Sequence, residues 1–133
     1  MLITRAGEYA ILSLFTLSKA HKPLDTQALA NELKIPKSFL AKILQNLARA
    51  NILRSYKGVN GGFSLEIDTK NITILSILIA VEPKNPSVFE CSNNETDCPS
   101  DQAKDCSIWP FFNNLQNHIN IFLEQLTLND ILN

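Results

Sequence analysis

At 133 residues, 45% of them hydrophobic, the chain is the size of one domain with an appendage and can bury a real core. No stretch approaches the roughly 18 apolar residues of a membrane span, and Arg5 and Glu8 break the apolar N-terminus with no cleavage site behind it, so the expectation is a cytoplasmic protein, without a membrane partner, whose thiols stay reduced. The net charge of -1 hides a division: residues 1–66 carry nine Lys or Arg against four acids, so a front of +5 precedes a back of -6, which points the front toward an anion such as nucleic acid.

Behind Thr4, the expected N-cap, residues Arg5 to Ala20 are apolar on nearly all sides, which suits a helix buried between neighbours and ended by His21-Lys22-Pro23. A short second helix follows Asp25 or Thr26 as cap, with Leu29, Ala30 and Leu33 inward. Lys34-Ile35-Pro36 then turns tightly into a third helix. There Leu40, Ile43, Leu44 and Leu47 recur at helical spacing and form a core face, while Ser38, Ala41, Lys42, Gln45 and Arg49, with Lys37 at the start, leave the opposite face small, polar and basic.

The period changes in ILRSYKGVNGGFSLEI. Phe63, Leu65 and Ile67 alternate inward with Ser64 and Glu66 outward, and Lys57 to Gly62 supplies turn residues, so a two-stranded hairpin is expected. TILSILIAVE predicts a short apolar helix stopped by Pro83 and Pro86, after which the chain is polar to about Ser107. In the last long helix Ile108, Phe112, Leu115, Ile119, Phe122 and Leu126 are spaced by alternating fours and threes, a heptad seam read as a dimerisation surface. Thr127 and Asp130 resemble a capping box for a final short helix in LNDILN.

Two short helices, a tight turn and a hairpin are the parts of a winged helix-turn-helix. The expected architecture is mainly α with a small β-hairpin wing: a DNA-binding domain over residues 1–82, a cysteine-bearing loop over 83–107, and a dimerisation helix with its tail over 108–133. Lys37, Ser38, Lys42 and Gln45 are the candidates for base edges and flanking phosphates, and Arg54, Lys57 and Gly58 for phosphate or an adjacent minor groove. There is no Ser/His/Asp grouping and no GxxxxGK, and the two histidines, His21 and His118, lie far apart, so an enzyme is not expected.

The polar loop holds Cys91, Cys98 and Cys106, an odd number that argues against a disulfide framework. Thiolates are soft ligands that favour iron-sulfur clusters, zinc or Cu(I), and three of them leave one place in a four-ligand site for another side chain. Glu90, Glu95, Asp97, Asp101 and Asp105 around them suit a bound cation.

The pieces LITRAGEYAILSL, IPKSFLAKILQNLARANILRS, YKGVNGGFSL, ITILSILIAVE, the three cysteines and TLNDIL together resemble the Rrf2 family of bacterial transcription regulators over essentially the whole chain. The resemblance implies a homodimer that reads a pseudo-palindromic site on double-stranded DNA. In cluster-bearing members the loop holds an iron-sulfur cluster, [2Fe-2S] or [4Fe-4S], whose state sets DNA affinity in response to nitric oxide, redox state or iron-sulfur supply. Its implied ligands here are Cys91, Cys98 and Cys106, with a fourth from a histidine near the third cysteine or from an acid in the partner subunit's first helix; no histidine follows Cys106 closely, and Glu8 matches the acidic position. The cysteine spacings are longer than in better-known cluster sensors and the loop lacks glycine, so cluster type stays open. A cluster-free thiol sensor and a zinc-bound winged-helix adaptor are the alternatives.

Overall fold

The computed structural model describes residues 3–82, 84–100 and 102–132, and of Ala103 the backbone alone. Its helices are α1 (Arg5–Lys19), α2 (Thr26–Leu33), α3 (Lys37–Arg49), α4 (Ile74–Val81), α5 (Trp109–Gln125) and α6 (Leu128–Leu132); β1 (Leu53–Tyr56) and β2 (Gly62–Leu65) lie between α3 and α4.

One core joins them. Ala10, Leu14 and Leu17 of α1 meet Leu29 and Ala30 of α2, the four apolar positions of α3, and Ile74, Ile77, Leu78 and Val81 of α4, with Leu123 and Leu128 closing it from α5 and α6. Gly7 lets α1 come close to α4: a Cβ there would lie 2.8 Å from Leu78 Cδ2 and 3.0 Å from Glu82 Oε1.

Thr4 occupies the N-cap position with extended backbone, but its side chain does not cap the helix. Its hydroxyl donates instead to Glu82 Oε1 at 2.6 Å, and its N–H donates to the same oxygen at 3.3 Å. The physical reason is that a carboxylate acceptor makes a charge-assisted bond roughly twice as strong as a neutral one. Asp25 behaves as expected, accepting from Ala28 N at 2.7 Å at the start of α2. Lys34, left-handed at φ 57°, closes that helix, and Ile35 N–H returns to Ala30 O, so the turn into α3 satisfies the terminal carbonyl.

The hairpin pairs antiparallel from Leu53↔Leu65 to Tyr56↔Gly62. It has a third member that the sequence does not announce: Leu24 pairs with Phe63 in both directions, N–H to O at 3.1 and 2.8 Å. Gly62 makes this possible, since at φ 141° its added Cβ would sit 2.5 Å from the Leu24 carbonyl carbon and oxygen. Ile67, expected inward, is 38% exposed because β2 ends at Leu65 and the chain bends into a 3-10 turn at Thr69–Asn71 capped by Asp68.

Thr73 caps α4 by accepting from Ser76 N, and the helix ends at Val81 with Glu82 extended; Pro83 lies outside the described residues. The tail comes back to this point. Ile74 N–H donates to Leu126 O and Leu128 N–H to Ile72 O, each at 2.8 Å, and the Thr127–Asp130 capping box then starts α6.

Candidate nucleic-acid interface and cysteine loop

Lys37, Ser38, Lys42 and Gln45 are all exposed on α3, on the side opposite Leu40, Ile43, Leu44 and Leu47. Arg54 on β1 and Lys57 and Gly58 in the hairpin turn are exposed as well. The Leu24–Phe63 pairing attaches the hairpin directly ahead of α2, and both sets of candidate contacts sit on elements that share one core.

Three neighbours escaped the sequence reading. Tyr56 is exposed beside the Arg54 guanidinium, 5.3 Å from its ring centre, and Val59 stands fully exposed at the hairpin tip. Phe39, next to Ser38, meets Tyr9 edge-on at 5.6 Å, and Arg5 lies over the other aromatic partner at 5.8 Å, which ties the start of α3 to α1. The only available signal was an aromatic residue at a position off the core period.

Each of the three cysteines is half-buried and none is in a disulfide. Cys98 Sγ lies 3.4 Å from Ser100 Oγ behind a 3-10 turn at Glu95–Asp97, and Cys106 follows a second such turn at Ala103–Asp105. Glu8 is exposed in the first turn of α1, while His21 and His118 are exposed elsewhere. Among the described residues no three His, Cys, Asp or Glu side chains stand together as a metal-holding group. Three thiols are in kind the donors of a soft metal centre, but in the single chain the described residues do not assemble them into one.

A row of polar side chains on α5 holds the first arm of this loop. Trp109 Nε1 donates to Cys91 O at 2.7 Å and Asn113 Nδ2 to Ser92 O at 3.0 Å. Gln116, with no exposed surface, accepts through Oε1 from Val88 N and lies 2.7 Å from the equally buried Ser92 Oγ; its Nε2 donates to Pro86 O and Asn120 Oδ1. These residues recur at i, i+4, i+7 and i+11, a helical face that a search for apolar periodicity passes over.

That inward face displaces the seam. Gln116 and Leu123 mark the buried side of α5, about 100° around the helix from Leu115. Ile119 and Leu126 consequently pack on the chain's own core, and Phe112 lies 4.5 Å from the Phe89 ring. Leu115 is half-buried, Ile108 and Phe122 are 55% and 61% exposed, and Phe111, absent from the seam as read, is 64% exposed. The exposed apolar strip of α5 therefore runs through Ile108, Phe111, Leu115 and Phe122.

A sequence profile of the Rrf2 family, described as iron-dependent transcriptional regulators, matches residues 3–133. YffB of Lactococcus lactis, assigned as an HTH-type transcriptional regulator, is 31% identical over 123 residues, which cover 90% of this chain and 78% of YffB. The HTH-type transcriptional regulator IscR of Vibrio cholerae is 25% identical over 134 residues, covering 99% of this chain and 75% of IscR. The solved structure of CymR, the global cysteine regulator of B. subtilis, shares the fold with a TM-score of 0.72 at 20% identity, over 98% of this chain and 95% of CymR.

Proposed function

Since the chain belongs to the Rrf2 family, whose members are helix-turn-helix transcription regulators and not enzymes, we propose that it binds operator DNA as a homodimer and that its cysteine loop sets the affinity. The observation that carries this reading is the exposed basic face of α3 and the wing, joined through one core to a helix that grips the loop. A helix of this width fits the roughly 12 Å major groove. Ser38 and Gln45 would face base edges, Lys37 and Lys42 the flanking phosphates, and Arg54, Lys57 and Gly58 the backbone or minor groove beside them. No helix among the described residues is long and apolar enough to cross a membrane, and a cytoplasmic location follows from the DNA partner.

The exposed strip of Ile108, Phe111, Leu115 and Phe122 is the surface on which two copies would pair. Cys91, Cys98 and Cys106, with the partner subunit's Glu8, are the residues that would hold an iron-sulfur cluster, which supplies a redox- and nitric-oxide-sensitive centre when bound. Loop closure then joins the first helix of one subunit to the loop of the other, and the spacing of the two recognition helices, about 34 Å for one DNA turn, becomes the quantity that is regulated.

Anaerobic purification with an absorption spectrum, iron and sulfide analysis, and DNA binding of untreated and nitric-oxide-treated protein at one salt concentration tests this. Visible absorption and a change in affinity on treatment are expected. Protein that stays colourless after supply of iron and sulfide, and that ignores promoter fragments, overturns the reading.

Three half-buried thiols, none in a disulfide, also support a second reading, a cluster-free thiol sensor. It requires DNA affinity to respond to a thiol oxidant such as diamide in protein that contains no iron.

A further inference from the structure

We propose that Gln116 and Trp109 are positioning residues: they bind the Cys91 arm of the loop to α5 as one unit, so that a change at Cys91 is delivered to the exposed apolar strip of the same helix. This rests on the reading of the loop as the sensing element.

A glutamine amide can make four hydrogen bonds, two through its oxygen and two through its nitrogen. Gln116, wholly buried, has a partner at each of the four: Val88 N–H and the Ser92 hydroxyl at 2.7 Å on the oxygen, the single hydroxyl proton being divided with Phe89 O, and Pro86 O at 3.3 Å and Asn120 Oδ1 at 2.8 Å on the nitrogen. The Ser92 hydroxyl is shared with Phe89 O at 2.8 Å, and Phe89 N–H points back to it at 3.2 Å. Releasing the arm would leave several buried polar groups without partners, a cost that grows with each one.

Cys91 sits between these anchors. Its own carbonyl takes the indole N–H of the protein's one tryptophan, and the next residue is Ser92. Near Cys98, Thr96 N–H donates to Asn94 Oδ1 at 3.1 Å and Cys98 N–H to Glu95 O at 3.3 Å. Cys91 is thus held to α5 through side chains and Cys106 through the chain itself, its carbonyl accepting from Trp109 N–H at 3.4 Å, so a rearrangement that draws the thiols together would load α5. Ile108, Phe111 and Leu115 stand within a turn of Trp109 or Gln116 on that helix.

The sample for the test is reduced, metal-free, full-length protein as wild type, Trp109→Phe, Gln116→Leu and Gln116→Glu, the last keeping the oxygen acceptor. Amide hydrogen exchange is read at Val88, Phe89 and Ile77, and iodoacetamide alkylation is read at each thiol by mass spectrometry. Gln116→Leu is expected to speed exchange at Val88 and Phe89 and alkylation at Cys91 about tenfold, leaving Ile77, Cys98 and Cys106 within about twofold. Trp109→Phe should raise Cys91 alone by a smaller factor, and Gln116→Glu should fall between wild type and Gln116→Leu. A rise at all three thiols alike, or none at Cys91, overturns the anchoring.

Transmission is read as DNA affinity before and after alkylation, at one salt concentration. A large change in wild type that shrinks in Trp109→Phe and Gln116→Leu supports it. An equal change in all proteins overturns transmission while the loop reading stands. No change in wild type sinks the loop reading, and transmission with it, while the exchange and alkylation results still decide the anchoring.

Discussion

The hydroxyl of Thr4 donates a 2.6 Å hydrogen bond to Glu82 Oε1, joining the residue before α1 to the residue that ends α4. The cysteine loop leaves the helical core from that same carboxylate, and Glu8 lies one helical turn along α1. Glu82→Ala removes the acceptor of both Thr4 donors and should cost about 1–3 kcal/mol. Urea unfolding would measure it; a loss of under about 0.3 kcal/mol would show the contact to be idle.

Gly62→Ala forces a Cβ to 2.5 Å from the Leu24 backbone at a φ of 141°. We expect a loss of about 2 kcal/mol or more in thermal unfolding, and loss of the Leu24–Phe63 amide protection in hydrogen exchange. Retention of that protection would mean that the backbone can yield at this point.

Lys42→Ala removes one cation from the outward face of α3 and should weaken binding to all duplexes alike, lowering the slope of log affinity against log salt by about 0.9. Gln45→Ala should instead relax base preference at one position with little change in slope. Anisotropy titrations across a salt series distinguish them, and an unchanged slope for Lys42→Ala would remove it from the interface.

Asp130 accepts from the backbone and side chain of Thr127, and those bonds hold its carboxyl below the usual carboxylate value. Its contribution to stability is therefore full above the unfolded value near pH 4 and is lost as pH falls through the lower folded value. The melting-temperature advantage of wild type over Asp130→Asn should be constant from about pH 5 to 8 and vanish in the acid range. An advantage that persists unchanged into that acid range would mean the carboxylate charge plays no part.

Phe111→Glu and Phe122→Glu each put a charge on the exposed strip of α5. Both are expected to convert a dimer to a folded monomer in sedimentation velocity, with the helical circular dichroism of wild type. A wild type that sediments as a monomer, or variants that remain dimers, would move the pairing surface elsewhere.

The face of α3, the Asp25 cap and the Thr127–Asp130 box were legible because period and capping act over a few residues. Thr4 was placed correctly at the N-cap, but the partner of its hydroxyl was not legible, because that acceptor comes from 78 residues away, where local rules have no view. Ile67 kept the strand's alternation past the last ladder bond, from Glu66 N–H to Ile52 O, beyond which the chain bends away. The fours and threes of α5 were legible, but not which side of the helix faces the chain's own core, since Trp109, Asn113 and Gln116 set the inward side through polar bonds that apolar spacing cannot register. Three cysteines are plain in the sequence, but the 3-10 turns that precede Cys98 and Cys106 are too short to carry a pattern.

Leu24 is the last residue before the Asp25 cap, and its two bonds to Phe63 tie the hairpin directly to the start of α2. If α3 and the hairpin both meet duplex, as proposed, each half of an operator would be gauged by one caliper. An extra base pair inserted between the edge under α3 and the groove under the hairpin would then have to be absorbed by winding of the duplex, and the cost of that winding would rank stiff sequences below pliable ones even at bases no side chain reaches.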